Sequence, residues 1–307
     1  MAPSSADDSC TSGSEQDKPR LTLGELTKGS NPGCTHRPAV SLIAPREHGA
    51  WGLLLVPLGS GGMVGLLEGN HVFAFVTLLV AALALFWLRT PAENWLGTGI
   101  MRAQTDKERR TVASATFILS TVSILGLLAL FWNGRNPDLV ILGAIAGIAF
   151  VAQAILRKLG RRTRMLSQFV GALGLTTTAP AAYYVLTGEL NRTAWTLWMA
   201  NFLFAVNQIQ FVELRIHSAR LSGCSQKREH GRPFLFGEAL LLAALTLAWR
   251  SHFLPWLSAL AFLPLLLRGA LWFFESQKPL VVRRLGWTEL TYAILFGICL
   301  AAGFSLA

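Results

Sequence analysis

Nine long apolar stretches follow one another along the chain, separated by short polar connections. Most are close to the ~20 residues that a helix needs to cross about 30 Å of hydrocarbon. Backbone polar groups in lipid must be paired within their own segment, so such stretches form helices. The pattern predicts an all-α, polytopic membrane bundle of about nine transmembrane helices, with spans at 50–67, 71–88, 112–132, 138–156, 166–187, 194–212, 234–250, 253–274 and 288–306.

Basic residues are concentrated on alternate connections of this bundle. Nineteen Arg and Lys residues follow the second, fourth, sixth and eighth stretches, counting the end of the eighth, whereas the opposite side carries only Arg135, Arg192 and Arg250. An excess of Lys and Arg marks cytoplasmic loops. We therefore expect the amino terminus inside the cell and the carboxyl terminus outside.

The composition excludes a soluble fold of this size. The chain is 52% hydrophobic and only 14% charged, too little charge to cover one soluble surface. Its net charge of +10 lies mainly in loop clusters, which indicates membrane topology and no nucleic-acid partner. Residues 1–44 lack apolar periodicity and predict a disordered cytoplasmic tail ahead of a transmembrane domain at 45–307. We expect a multi-pass protein of the cell membrane, in a prokaryote the cytoplasmic membrane.

The sixth stretch carries the strongest polar signal. At 100° per residue, five polar side chains fall within an arc of about 140°, so one helix presents them as a stripe toward a cavity or another helix. Glu213 and His217 stand at i and i+4, which suits either an acid/base pair or an interfacial ion pair. The stripe consists of Asn207, Gln210, Glu213, His217 and Arg220.

The end of the second stretch provides a partial counterpart in Arg89, Glu93 and Asn94. Guanidinium groups from two helices, Arg89 and Arg215, are suited to hold a phosphate bidentately. His48 opens the first helix within an Arg-Glu-His-Gly run and is a further candidate catalytic residue.

The run Pro45-Arg46-Glu47-His48-Gly49-Ala50-Trp51, followed by an apolar helix with Pro57, resembles the opening of the YwiC-like membrane family. The helical layout over 45–307 is compatible with that family. The resemblance implies a membrane location and does not by itself imply a reaction.

The layout also resembles, more distantly, the UbiA-type intramembrane prenyltransferases, which have nine helices and functional loops after helices 2 and 6. In that superfamily aspartate-rich motifs hold magnesium against a prenyl diphosphate. The resemblance implies Glu93 and Glu213 as metal ligands and an isoprenoid or other membrane lipid as substrate, although paired aspartates are missing. The matching stretches read RTPAENWLGTGIMRAQTDKER and FVELRIHSARLSGCSQKREHGRP.

Three functions follow from these patterns. In a UbiA-like enzyme, Arg89 and Arg215 bind phosphate, Glu93 and Glu213 bind metal or steer protons, and His217 acts as base. Asn94, Asn207, Gln210 and Arg220 then contact the substrate. A transporter or channel for a small polar solute predicts polar side chains through the full bilayer depth, and a non-catalytic scaffold predicts that they face bulk water.

Overall fold

The computed structural model describes residues 48–95, 105–132, 137–218, 224–274 and 281–306. Within these ranges the chain forms eleven α-helices and no strands. They are α1 (His48–Glu68), α2 (Val72–Trp95), α3 (Asp106–Trp132), α4 (Pro137–Lys158), α5 (Arg164–Thr176), α6 (Thr178–Thr187), α7 (Arg192–Ser218), α8 (Cys224–Arg250), α9 (Trp256–Ala259), α10 (Leu263–Phe274) and α11 (Val282–Ser305). The predicted all-α class is thus confirmed, and the predicted tail at 1–44 lies outside the described residues.

Eight helical stretches of the described chain are long and apolar enough to cross a bilayer. Two of them are interrupted: α5 and α6 form one span over 164–187, and α9 and α10 form another over 256–274. The predicted sixth span corresponds to α7, which has 27 residues and is not among the eight. Its amide and charged side chains reduce its hydropathy, so the same residues that set it apart in sequence also weaken its membrane signal.

The helices differ in how deeply they lie in the bundle. In the span formed by α5 and α6, 67% of the most apolar part is buried, whereas in α3 only 11% is buried. The α5–α6 span is therefore central in the bundle, and α3 is peripheral. Helix α6 packs on α1, α2 and α7, and α1 also packs on α11. In contrast, α3 and α4 expose Phe117 and Ile148, as expected of side chains that face lipid.

Close contact between α1 and α6 depends on glycines spaced four residues apart. A Cβ atom on Gly61 would lie 2.9 Å from the Cα atom of Ala179 and closer still to its carbonyl oxygen. At Gly65 it would lie 3.1 Å from the Cα atom of Tyr183. Small residues at this spacing let helix backbones approach in membranes. Close packing is therefore one role of the glycines in the first helix.

A hydrogen bond between α1 and α7 crosses the centre of the bundle. Asn201 Nδ2 donates to Ser60 Oγ at 3.1 Å and to the Leu197 carbonyl at 2.8 Å, and both polar residues are buried. We expect Ser60→Ala to lower the free energy of unfolding by about 0.6 kcal/mol, the average for such bonds between membrane helices. Unfolding in mixed micelles, followed by tryptophan fluorescence, measures this loss. If Ser60→Ala left the free energy of unfolding unchanged while Asn201→Ala lowered it strongly, the predicted contribution of the Ser60–Asn201 hydrogen bond would be wrong.

Candidate functional site

Asn207 of α7 faces the interior of the bundle and contacts a carboxyl group on α8. Its side chain is 3% exposed, and its Nδ2 donates to Glu238 Oε1 at 2.9 Å. Gln210, one turn further along α7, lies over Gly237, where a Cβ atom would collide with the Gln210 amide. The predicted stripe on this helix thus meets α8 at two successive levels.

A second carboxyl group lies inside the bundle on α11. Glu289 forms an ion pair with Arg268 of α10, and the two side chains are only 7% and 9% exposed. Gln208 Nε2 of α7 donates to the Glu289 carbonyl at 3.0 Å. Removing two charges from water is costly and is offset only by mutual attraction and further hydrogen bonds. Ionisable groups buried in membrane helices usually mark a functional site for this reason.

Arg268 contacts two aromatic rings. Its Cζ atom lies 4.0 Å from the centroid of the Phe211 ring and 4.9 Å from that of Tyr292. Such cation–π contacts stabilise a guanidinium group that is shielded from solvent. Arg268 also attracts the Glu238 carboxylate electrostatically, so the cation interacts with carboxylates on both α8 and α11.

These five residues define the buried polar cluster: Asn207, Gln208, Glu238, Arg268 and Glu289. Several of its buried polar atoms have no hydrogen-bond partner among the described residues, and these are Arg268 Nε and Nη2, Glu238 Oε2 and Asn207 Oδ1. Most buried polar groups in proteins are paired, and an unpaired one costs free energy. The cluster therefore retains both donors and acceptors that a ligand would satisfy.

The inner end of α7 contains the remaining predicted residues of the stripe. Glu213 has a buried Oε2 with no hydrogen-bond partner in the described chain, and Arg215 attracts Glu289 electrostatically. His217 is exposed, and its ring Nδ1 lies 2.9 Å from the Glu213 backbone carbonyl, not from its carboxylate. The stripe therefore divides: Asn207 and Gln210 point inward, and His217 reaches the surface. Arg220 lies outside the described residues.

The predicted residues of the second helix lie elsewhere. Arg89 and Asn94 are half-buried near the end of α2, whose main neighbours are α3 and α6, whereas α7 packs mainly on α1, α5, α6 and α8. Glu93 and His48 belong to described helices, but the structure does not describe their side chains. Helices α2 and α7 share α6 as a neighbour, and the predicted phosphate clamp of Arg89 and Arg215 stays a prediction.

Among the described side chains, no group of three or more His, Cys, Asp and Glu residues could hold a metal ion. Since the Glu93 side chain is not among them, the expectation of a magnesium site at Glu93 and Glu213 is not tested. An open groove of about 650 Å³ runs along α3. Its described lining residues all belong to this one helix, from Asp106 to Ile118, whereas a binding site usually gathers polar groups from several elements.

Three members of the cluster are not among the residues predicted from the sequence. Arg268 was counted with the basic connections, whereas the structure places it inside α10. Glu238 and Glu289 each lie within a predicted apolar stretch, at 234–250 and 288–306. A charged residue inside a spanning stretch is itself a signal of function, and that rule would have found all three.

Polar contacts also occur toward the other end of the bundle. Tyr183, fully buried on α6, donates its hydroxyl hydrogen to the Glu68 carboxylate and accepts a hydrogen bond from Asn191 Nδ2 at 2.8 Å. Between this contact and the buried polar cluster lies the Ser60–Asn201 hydrogen bond. Polar groups are thus present at successive levels along the length of the bundle.

These features define a polytopic helical membrane protein with charged side chains inside its bundle. Residues 44–183 match the model of the family described as YwiC-like protein, which confirms the resemblance predicted from the opening of the first helix. The chain is also 22% identical over 263 residues to a protein of Bacillus subtilis (strain 168) named uncharacterized protein YwiC, and the match covers 83% of this chain and 95% of that protein. No solved structure matches the chain. The resemblance to UbiA-type enzymes gains no support from these comparisons.

Proposed function

We propose that the protein is a membrane transporter for a small polar solute, which binds at the buried polar cluster. The observation that carries the proposal is the set of unpaired donor and acceptor atoms on Arg268, Glu238 and Asn207 inside the bundle. A side-chain arrangement selected for stability alone would leave few such atoms, because each one costs free energy in a nonpolar surrounding.

The depth of the cluster supports a role in crossing the membrane. In the span Glu229–Arg250, Glu238 lies nine residues from one end and twelve from the other. At 1.5 Å per residue Glu238 lies about 14 Å from the nearer end of its span, and Arg268 and Glu289, each six residues from the nearer end of theirs, lie about 9 Å from it, so the cluster is inside the hydrocarbon. Substrate sites of many transporters lie within the hydrocarbon, between helices that are interrupted. Helices α9 and α10 form one interrupted span here, and α10 carries Arg268.

Polar levels on both sides of the cluster fit the same proposal. The Tyr183–Glu68–Asn191 contact and the Ser60–Asn201 hydrogen bond lie toward one end, and Glu213 and Arg215 lie toward the other. A transport path requires polar groups at such successive depths. At the first of these ends the polar groups pair across helices, Tyr183 with Glu68 and Asn201 with Ser60.

The proposal is tested by solute-dependent currents or uptake in liposomes that contain the purified protein. A panel of amino acids, carboxylates, sugars and inorganic phosphate is applied, and at least one compound is expected to give a signal. We expect Glu238→Gln to reduce this signal at least tenfold, because it removes the negative charge and leaves an amide in place of the carboxylate whose Oε2 has no hydrogen-bond partner among the described residues. The matched control is Glu229→Gln, which changes an exposed residue of the same helix. No signal in the wild type, or equal signals in both variants, would refute transport at this site.

A second candidate is a lipid-active enzyme that works at the inner end of α7. The specific observation is the buried Glu213 carboxylate oxygen, which has no hydrogen-bond partner among the described residues, two positions before Arg215. In this proposal Arg89 and Arg215 bind the phosphate of an isoprenoid or other lipid, and Glu93 and Glu213 bind magnesium. Purified protein, given labelled prenyl diphosphates and membrane extract, then transfers the label, and Glu213→Ala removes the transfer. No transfer by the wild type would exclude this candidate.

A further inference from the structure

We infer that the buried polar cluster recognises a small zwitterion of the amino-acid class, with its carboxylate on Arg268 and its ammonium group on Glu238 and Asn207. This inference rests on the proposed solute-binding function and specifies its ligand. It is drawn from the unpaired atoms, the charge and the walls of the cluster.

Arg268 offers an intact edge for a carboxylate. Its Nη1 is bonded to Glu289, while Nε and Nη2 are buried and have no hydrogen-bond partner among the described residues. Nε–H and the neighbouring Nη2–H point to the same side of the planar guanidinium group, so they donate two parallel hydrogen bonds. Such a fork matches the two oxygens of a carboxylate. The ion pair with Glu289 and the Phe211 ring, whose centroid is 4.0 Å from Arg268 Cζ, restrict the orientation of this fork.

Glu238 and Asn207 offer acceptors for an ammonium group. Glu238 Oε1 is occupied by Asn207 Nδ2, which leaves Glu238 Oε2 and Asn207 Oδ1 buried with no hydrogen-bond partner in the described chain. Both are oxygens, and one belongs to a carboxylate, so they suit a cationic donor. The Glu238 carboxylate lies against Gly269, the residue after Arg268; a Cβ atom there would be 2.6 Å from Glu238 Oε1. The acceptors thus lie against the residue that follows Arg268 on α10, and the Arg268 charge acts on the Glu238 carboxylate.

The charge balance favours a zwitterion over a simple ion. In their ionised forms Arg268 contributes +1, and Glu238 and Glu289 contribute −2 together. A lone anion would add to the negative excess, and a lone cation, although it would offset that excess, would leave both donors of the Arg268 fork without an acceptor. A zwitterion satisfies both sets of atoms and adds no net charge, which matters because uncompensated charge is costly in the bundle interior.

The walls of the cluster indicate a compact ligand. Phe211, Phe234 and Trp272 pack together beside it, and Phe211 covers one face of Arg268. Phe234 also approaches Gly269, where its ring atoms would lie 3.0 Å from a Cβ atom. With these bulky side chains packed beside the polar atoms, we expect the hydrocarbon part of the ligand to be a short chain.

The test is a binding measurement on the full-length protein in nanodiscs, with probes matched in size. The zwitterions are L-alanine, β-alanine and γ-aminobutyrate, which vary the separation of the two charges. The matched single-charge probes are propionate and propylamine. We expect at least one zwitterion to bind at least tenfold more tightly than both single-charge probes. Arg268→Lys, which keeps the charge beside Glu289 but removes the fork, is expected to weaken zwitterion binding at least tenfold, as is Glu238→Gln.

Two controls keep the outcome interpretable. Glu229→Gln and Arg232→Lys change exposed residues of α8 and should leave binding unchanged. Binding of propionate as tight as that of the zwitterions would refute the role of Glu238 and Asn207. Absence of zwitterion binding to the wild type would overturn the inference, even where a sugar or phosphate gives a transport signal and the proposed function stands.

Discussion

Gly61→Ala is expected to lower the free energy of unfolding by about 1–3 kcal/mol, the range for adding a methylene to a well-packed interior. The added methyl group would meet the backbone of Ala179, with its carbonyl carbon at 2.8 Å and its oxygen closer still. A backbone cannot rotate away as a side chain can, so α1 must move away from α6. This separation would also loosen Tyr183 and Ala182, which are fully buried at or near the same contact.

The same helix provides the control. A Cβ atom on Gly59 would meet nothing within 4 Å, so Gly59→Ala adds the same methyl group without a collision. Alanine is the better helix former by roughly 1 kcal/mol in soluble hosts, and we expect this variant to be neutral or stabilised. Unfolding in mixed micelles, followed by tryptophan fluorescence, compares the two. Equal effects of the two substitutions would show that the α1–α6 contact does not depend on Gly61.

The apolar pattern was sufficient to predict the helices because every segment in lipid must pair its backbone polar groups internally, and a helix does so. Eight predicted spans correspond to helical stretches that are long and apolar enough to cross a bilayer. The remaining predicted span corresponds to α7, a helix of 27 residues. The pattern did not show that the spans over 164–187 and 256–274 are each divided into shorter helices. Such divisions depend on how neighbouring helices pack, and hydropathy along one segment carries no information about its neighbours.

The candidate site was harder to predict for a related reason. Periodicity assigns residues to a face of their own helix, and it correctly directed Asn207 and Gln210 inward. It does not identify the partner of that face. Glu238 and Glu289, which α7 contacts at Asn207 and Gln208, are 31 and 81 residues away in sequence.

Arg268 illustrates how a charge can be assigned to the wrong environment. It lies six residues before the end of α10, near enough to a basic connection to be counted with it. In sequence, an arginine near a helix end indicates either a loop charge or a side chain that reaches the headgroups. Only the position of Glu289 on α11 distinguishes a buried ion pair from these alternatives.

Glu289→Leu is expected to destabilise the protein by about 3–5 kcal/mol, the loss found when one partner of a buried ion pair is removed. The variant leaves Arg268 charged inside the bundle, with Glu238 as its remaining carboxylate neighbour among the described residues. Arg268→Leu should be similarly harmful, because it leaves Glu289 uncompensated. The double variant removes both charges and restores apolar contacts, so its loss should be smaller than the sum of the two single losses by at least about 2 kcal/mol.

This cycle separates stability from function. Unfolding in mixed micelles measures the three free energies, and solute binding in nanodiscs is measured on the double variant. If the cluster serves a ligand, the double variant is folded yet does not bind, because the Arg268 fork is lost whatever the stability. Additive losses in the cycle would contradict the ion pair, and undiminished binding by the folded double variant would exclude Arg268 from the site. A buried ion pair that contributes little net stability but is required for binding is the combination that selection for a ligand site would preserve.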